Sequence, residues 1–331
     1  LRQWRQYLPN VTPHYAVKSN NDPVLLSWLG EAGAAFDCAS PTEIHQVLKI
    51  APPAKIIYAN PCKSIEDICI ADGVPTTVVD SPEEVEKLAD ARWSGSTLIR
   101  LKVPDAGSAQ PFSRKFGAPL TWVPEILAAL RAAHIAHTGW SFHVGSMCAQ
   151  PRQFSQAIAL CAAADKIAGT RAAIVDIGGG FVPGQLTDAA AEIRAAQTLF
   201  PAATRWIGEP GRFLSAPVAT LRVSVIGSKR HPDHSGRVYT IDESVYSAFS
   251  NIPFDGQKPE YILKAPDAAS RPRVRATIFG RTCDSADCLA EDILLPELRV
   301  GDELEVPNMG AYTMVSASLF NGFPLAKRAY I

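Results

Sequence analysis

Short β-branched or aromatic runs alternate with Ala/Leu-rich stretches of helical spacing from the start of the chain to about residue 210, joined by polar or glycine-rich turns. Eight such runs can be read: 14–18 (HYAVK), 35–39 (AFDCA), 56–60 (IIYAN), 77–80 (TVVD), 98–103 (LIRLKV), 140–145 (WSFHVG), 173–178 (AIVDIG) and 205–210 (RWIGEP). The stretches between them, such as 82–91 and 122–134, carry acidic residues or proline in the first turn, as helix N-termini prefer. Strands covered by helices read as nearly continuous apolar runs, so the pattern predicts an α/β fold, a closed (β/α)8 TIM-like barrel, with an open doubly wound sheet as its rival. After about residue 215 the helical units stop. Alternating segments at 220–227, 237–242, 273–280 and 303–307, separated by Pro, Gly and Asp, predict a mainly antiparallel β domain, giving expected domains of 1–215 and 216–331.

Composition narrows the partners. A chain of 331 residues, 47% hydrophobic, can build a large core without crosslinks. With 32 basic and 33 acidic residues and no basic block, no nucleic-acid partner is expected. Seven scattered cysteines without CxxC spacing indicate neither a disulfide framework nor a metal site, and free thiols suggest a cytoplasmic setting. No apolar run approaches the ~20 residues of a membrane span, and no cationic-then-apolar leader precedes the first run.

Barrel enzymes work at the carboxyl ends of their strands. There this sequence collects Lys18, Asp37, Arg100, His143, Ser146, Gly178, Gly179, Gly180 and the stretch from Glu209 to Arg212. A lysine at a barrel mouth suits imine formation with an aldehyde, since partial desolvation frees its nucleophile; read alone, a strand-end lysine such as Lys18 is more often a snorkelling surface residue. The glycines of 176–181 (DIGGGF) lie between a buried strand and a helix, where backbone N–H groups and a helix N-terminus bind phosphate, although the spacing matches neither a Walker loop nor GxGxxG. Glu209 is a candidate to hold a pyridine nitrogen protonated, so that the ring absorbs electrons, or else a salt-bridge partner of Arg212. His143 is a candidate to lie against such a ring, and Ser146 to donate to phosphate.

Nine segments in order carry a resemblance: 13–20 (PHYAVKSN), 36–43 (FDCASPTE), 56–63 (IIYANPCK), 141–146 (SFHVGS), 176–181 (DIGGGF), 208–212 (GEPGR), 282–287 (TCDSAD), 308–313 (NMGAYT) and 320–323 (FNGF). Together they resemble the ornithine decarboxylases of the eukaryotic type. The resemblance implies an alanine-racemase-like barrel carrying pyridoxal 5'-phosphate, a C-terminal β domain, and a homodimer with shared active sites. It makes Lys18 the lysine that bonds the coenzyme, Glu209 the pyridine partner and His143 the ring-stacking residue. Ser146, Gly178, Gly179, Gly180, Gly211, Arg212 and Tyr312 would hold phosphate, with Asp37, Glu43 and Arg100 as supporting polar groups. Cys283 and Asp284 would come from the partner subunit, the cysteine returning a proton to Cα and the aspartate binding the substrate's distal ammonium. Asp255, with Phe254 where the family often has Tyr, would be the second acid of the pocket, and Lys115 and Asp287 would bridge the dimer.

The resemblance therefore implies decarboxylation of a basic amino acid, L-ornithine to putrescine in polyamine biosynthesis. Lysine, one methylene longer, is an alternative substrate, alone or together with ornithine. Arg281 before the TCD motif departs from the family's usual Pro and opens a diaminopimelate decarboxylase as another, although that family usually shows Glu after its cysteine. Val182 extends the turn after the glycines, and 243–249 is a looser match. The non-enzyme rival is a silent regulatory homologue of the antizyme-inhibitor kind, which tends to lose coenzyme ligands that this sequence keeps.

Overall fold

The structure is a computed structural model and describes residues 1–232 and 235–331. Two compact units divide the chain, Leu1–Leu214 and Ser215–Ile331. In the first, the strands are β1 (Val11–Ala16), β2 (Ala35–Cys38), β3 (Ile56–Tyr58), β4 (Thr76–Val79), β5 (Ser96–Arg100), β6 (Ser108–Gln110), β7 (His137–Ser141), β8 (Ser146–Cys148), β9 (Ile174–Asp176) and β10 (Arg205–Gly208). Eight of them close a parallel barrel in the order β1-β10-β9-β7-β5-β4-β3-β2, while β6 and β8 form a separate antiparallel ribbon. The closed cylinder settles the choice against an open sheet.

The helices are α1 (Arg2–Tyr7), α2 (Pro23–Glu31), α3 (Pro41–Leu48), α4 (Ile65–Ile70), α5 (Pro82–Asp90), α6 (Val123–Ala132), α7 (Arg152–Ala168) and α8 (Leu186–Gln197). Their starts are written in short polar side chains: Asp22, Ser40, Ser64 and Ser81 accept the first free N–H groups of α2 to α5. Proline at the first position of α2, α3 and α5 presets the backbone there. Several apolar runs continue past the strand ends because hydrophobicity reports burial rather than ladder membership. Val17, Phe142, Val144 and Ile177 lie beyond β1, β7 and β9 and are still fully buried. None of the described helices is long and apolar enough to cross a membrane.

Side chains alternate faces along each strand. Ile57, Val78, Leu98 and Ile207 form a small apolar cluster of their own inside the barrel, separate from the large core that joins the outer strand faces to the helices. Asp37 pairs in register with Ile57. Two residues beyond Val78, Leu98 and Ile207, on the same inner faces, stand Asp80, Arg100 and Glu209. Ser141 and Asp176, opposite each other in register, continue that layer across β7 and β9. One apolar layer thus carries a layer of ionisable groups directly above it.

The second unit carries α10 (Asn251–Asp255) and a six-stranded sheet of β11 (Leu221–Arg230), β12 (Arg237–Ile241), β13 (Ile262–Leu263), β14 (Arg273–Phe279), β15 (Cys288–Pro296) and β16 (Glu303–Val306), in the order β13-β16-β11-β12-β14-β15. Every pairing is antiparallel except β12 with β14. The sequence pattern does not reveal β15, because Glu291 and Asp292 interrupt its alternation. In the structure they form a bulge: the register slips between Ala276 and Ile278, and Asp292 takes φ 55.

His14, on β1, is buried, and burial is the main reason its pKa falls from 6.5 to about 4. The folded protein therefore favours neutral His14, and that stability is present above pH 6.5 and lost as pH falls towards 4. The shift corresponds to roughly 3 kcal/mol. His14→Phe is expected to flatten the acid side of the urea-unfolding profile in this window; an unchanged profile would refute it.

Candidate active site

Lys18 sits in a single 3₁₀ turn, Val17–Ser19, that ends β1 and lifts its side chain to the mouth. Its ammonium pairs with Asp37 on β2; the lysine side chain is 40% exposed and the aspartate wholly buried. Asp37 Oδ1 is buried without a hydrogen-bond partner. Glu43, in the first turn of α3, accepts the Ala39 N–H at 2.6 Å, and burial raises its pKa. Arg100 ends β5 over the Phe116 ring at 4.9 Å. Burial works against its charge, while Glu209, Asp80, Asp176 and Asp37 favour it.

His143 lies two residues beyond β7. Its Nδ1 accepts the Gly145 N–H at 3.0 Å, which leaves the proton of the neutral ring on Nε2. Burial, then Arg100 and Lys18, hold its pKa well below the usual histidine value, so the ring is neutral and apolar in character. Glu209 Oε1 is buried without a hydrogen-bond partner. Burial, followed by the charges of Asp176 and Asp37, pushes the Glu209 pKa well above the usual carboxylate range, against the opposing pull of Lys18.

The glycine run lies in a loop between β9 and α8. Gly178 has φ 62 and Gly180 φ 96, conformations open to glycine. A Cβ on Gly178 would overlap the Phe142 carbonyl, and one on Gly179 would crowd the Glu209 carbonyl and His143 Nε2. The expectation of a helix N-terminus beside these glycines needs correction: α8 begins at Leu186, so loop N–H groups alone are presented. Val182 belongs to that longer loop. Gly211 is buried and its carbonyl accepts the Leu214 N–H at 3.0 Å, opening the four-residue helix α9 (Arg212–Ser215). Ser146 stands on β8 opposite Gln110, on the ribbon rather than at a barrel strand's end.

The second unit arranges its candidates separately. Cys283 is an exposed free thiol whose N–H donates to Asn321 Oδ1 at 3.0 Å. Asp284 accepts hydrogen bonds from the Tyr246 hydroxyl and the Ala286 N–H, which hold its pKa below the usual range. Asp255 ends α10 and is buried, whereas the neighbouring Phe254 is exposed. Tyr312 has φ 54, an unusual conformation for a bulky side chain, and its carbonyl accepts from Ser250 and Ser316. Asp287 is buried and accepts from Thr282 N–H, Thr282 Oγ1 and Val245 N–H within its own unit.

A family model for the pyridoxal-binding domain of pyridoxal-dependent decarboxylases matches residues 1–216. The chain belongs to the pyridoxal-dependent decarboxylase family. An ornithine decarboxylase from Panagrellus redivivus is 36% identical over 99% of this chain and 82% of its own length. Antizyme inhibitor 2 from Xenopus laevis is also 36% identical, over 96% of this chain and 75% of its own. The crystal structure of the Paramecium bursaria Chlorella virus arginine decarboxylase bound to agmatine superposes with a TM-score of 0.91 at 35% identity, covering 97% of this chain and 90% of that one.

The residues of this decarboxylase fit pyridoxal phosphate: a mouth lysine, a buried carboxyl oxygen with no partner, and a cradle that admits no Cβ at Gly178. Asp176, within the glycine motif, was not singled out from the sequence. Its signal was the period-two continuation of the barrel's inner face, which selects Asp80 as well. For Gly178→Ala we expect coenzyme affinity to fall at least ~10-fold and stability by about 1–2 kcal/mol, from the left-handed backbone alone. Fluorescence titration with pyridoxal phosphate and urea unfolding would measure both, and wild-type affinity would contradict the cradle.

Proposed function

We propose that this decarboxylase acts on a basic amino acid, L-ornithine first, releasing carbon dioxide and putrescine for polyamine synthesis. The observation that carries this reading is Asp284, a carboxylate kept ionised by Tyr246 and Ala286 beside the exposed thiol of Cys283. An ionised acid at this position favours a substrate with a distal ammonium, because an apolar side chain would leave it unpaired at a cost of about 1–3 kcal/mol. Arg281 does not compete for a distal carboxylate. Its guanidinium donates to the Pro324 carbonyl at 2.8 Å, stacks over Phe323 at 4.5 Å and approaches Glu243 at 4.0 Å. That commitment favours a diamino acid over diaminopimelate.

In this reading Lys18 anchors the coenzyme, with Asp37 steering its amine. Bound, the coenzyme supplies a protonated ring that accepts electrons from the breaking bond between Cα and the carboxylate. His143, neutral and held by Gly145, gives that ring a flat apolar face, and Glu209 faces its nitrogen. Gly178, Gly179, Gly180, Gly211, Arg212, Ser146 and Tyr312 hold the phosphate. Asp255 joins Asp284 at the distal ammonium, and the Cys283 thiol returns a proton to Cα. Cys283 and Asp284 come from the partner in a homodimer, so that each site is shared. The free thiols accord with a cytoplasmic setting.

Incubating the loaded protein with ornithine, lysine, arginine and diaminopimelate in parallel tests the substrate. Carbon dioxide release is expected to be fastest with ornithine, and preferred turnover of another would replace it. Mixing inactive Lys18→Ala and Cys283→Ala chains is expected to restore part of the activity, since a mixed dimer keeps one intact site. No recovery would refute the shared site. A colourless protein that borohydride leaves unlabelled would favour the regulatory reading instead.

A further inference from the structure

Asp176 and Glu209 place two carboxyl groups side by side inside the barrel. Asp176 is 0% exposed and Glu209 7%. Gly178 ties both: its N–H donates to Asp176 Oδ1 at 2.9 Å, and its carbonyl accepts the Glu209 N–H at 2.7 Å. Each carboxyl acts on the other's ionisation, and two like charges buried this close do not both form, so the pair keeps one proton. Glu209 Oε1 remains buried without a partner.

The groups around the pair favour keeping that proton. Asp37 adds negative charge from β2, and Cys161 on α7 is a buried thiol whose pKa is pushed up. The cations are Lys18, already paired with Asp37, and Arg100, shared with Asp37 and Asp80. Burial raises both acids, Asp176 to about 6 and Glu209 further still. Asp176 also receives the Gly178 N–H, which stabilises its anion, so the proton belongs to Glu209.

We infer that Asp176 is a positioning residue that keeps one proton on Glu209 in the coenzyme-free protein, so that the coenzyme's ring nitrogen meets a carboxylic acid ready to donate. On transfer the Glu209 O–H bond breaks and a ring N–H bond forms. Glu209 is left as the carboxylate facing the new cation, and Asp176 stays ionised on the Gly178 N–H. The inference rests on the reading that Glu209 faces the ring nitrogen.

Infrared difference spectra of the full chain, stripped of coenzyme and then reloaded with pyridoxal phosphate, test it. The stripped protein is expected to show the carbonyl stretch of a protonated carboxyl at neutral pH, which disappears on reloading and is absent from Glu209→Gln. In Asp176→Asn the band is expected to weaken at neutral pH, because the neighbouring negative charge is gone while the burial of Glu209 remains. Calorimetry in buffers of different ionisation enthalpy should then show coenzyme binding taking up more protons per chain than in wild type. A merely structural Asp176 would move neither readout. No band in the stripped protein, or equal proton uptake in Asp176→Asn, overturns the inference while leaving Glu209 as the ring's partner. A band that persists after reloading overturns that placement and the hand-over with it. Should Asp176→Asn fail to fold, the wild-type and Glu209→Gln spectra decide.

Discussion

Lys18→Ala is expected to lower the decarboxylation rate by about 10³-fold or more, with no visible absorbance from covalently held coenzyme. The proposed chemistry needs a primary amine at the barrel mouth, and Lys18 Nζ at the end of β1 supplies one. A second effect accompanies the loss. Asp37 is wholly buried, and Oδ1 has no partner, so removing the ammonium strips the carboxylate of its ion pair. Lys18→Arg separates the two effects. Arginine keeps a cation beside Asp37 but cannot form the bond to the aldehyde, so stability should recover while the rate does not. Rates for both variants, paired with urea midpoints, provide the measurement. A Lys18→Ala protein that keeps more than about a tenth of the wild-type rate would show that the amine is not the anchor.

Lys63→Met is expected to destabilise the protein by about 3–5 kcal/mol without touching the mouth chemistry. Lys63 Nζ is fully buried and pairs with Glu84 at 2.8 Å, while also donating to the Asn60 and Val78 carbonyls at 2.8 and 2.9 Å. Methionine matches its length and apolar stem but leaves two carbonyls without their donor and Glu84 with only Lys87 and the residue-63 backbone N–H. Burial lowers the Lys63 pKa even against the pull of Glu84, which shows the desolvation this cation bears. Removing both charges in Lys63→Met with Glu84→Gln should cost less than the two single changes added together, because neither variant then strands a buried charge. Urea unfolding measures each; a loss under about 1 kcal/mol for Lys63→Met would mean that water reaches the pair.

The local order of this protein was legible in its residues. Eight apolar runs, the Ser and Asp caps of α2 to α5 and the prolines that follow three of them state the barrel unit in terms of burial and backbone bonding alone. The ordered motifs singled out Lys18, the glycine loop and Glu209, which lie at the carboxyl ends of β1, β9 and β10. β15 stayed hidden because a bulge at Glu291 and Asp292 interrupts the two-residue alternation on which recognition of a strand depends.

Closure of the barrel decided what linear order does not express. Asp37, Asp80, Arg100, Asp176 and Glu209 are spread over more than half the chain, and only the registers of seven strands bring them together on the barrel's inner face beside the apolar cluster of Ile57 and Leu98. Arg281 read as a candidate partner of a distal carboxylate until the fold showed it committed to the Pro324 carbonyl, the Phe323 ring and Glu243. Sequence specified which chemical groups are present and which local structures carry them; the tertiary structure set their desolvation and mutual charge, because both depend on distances across space.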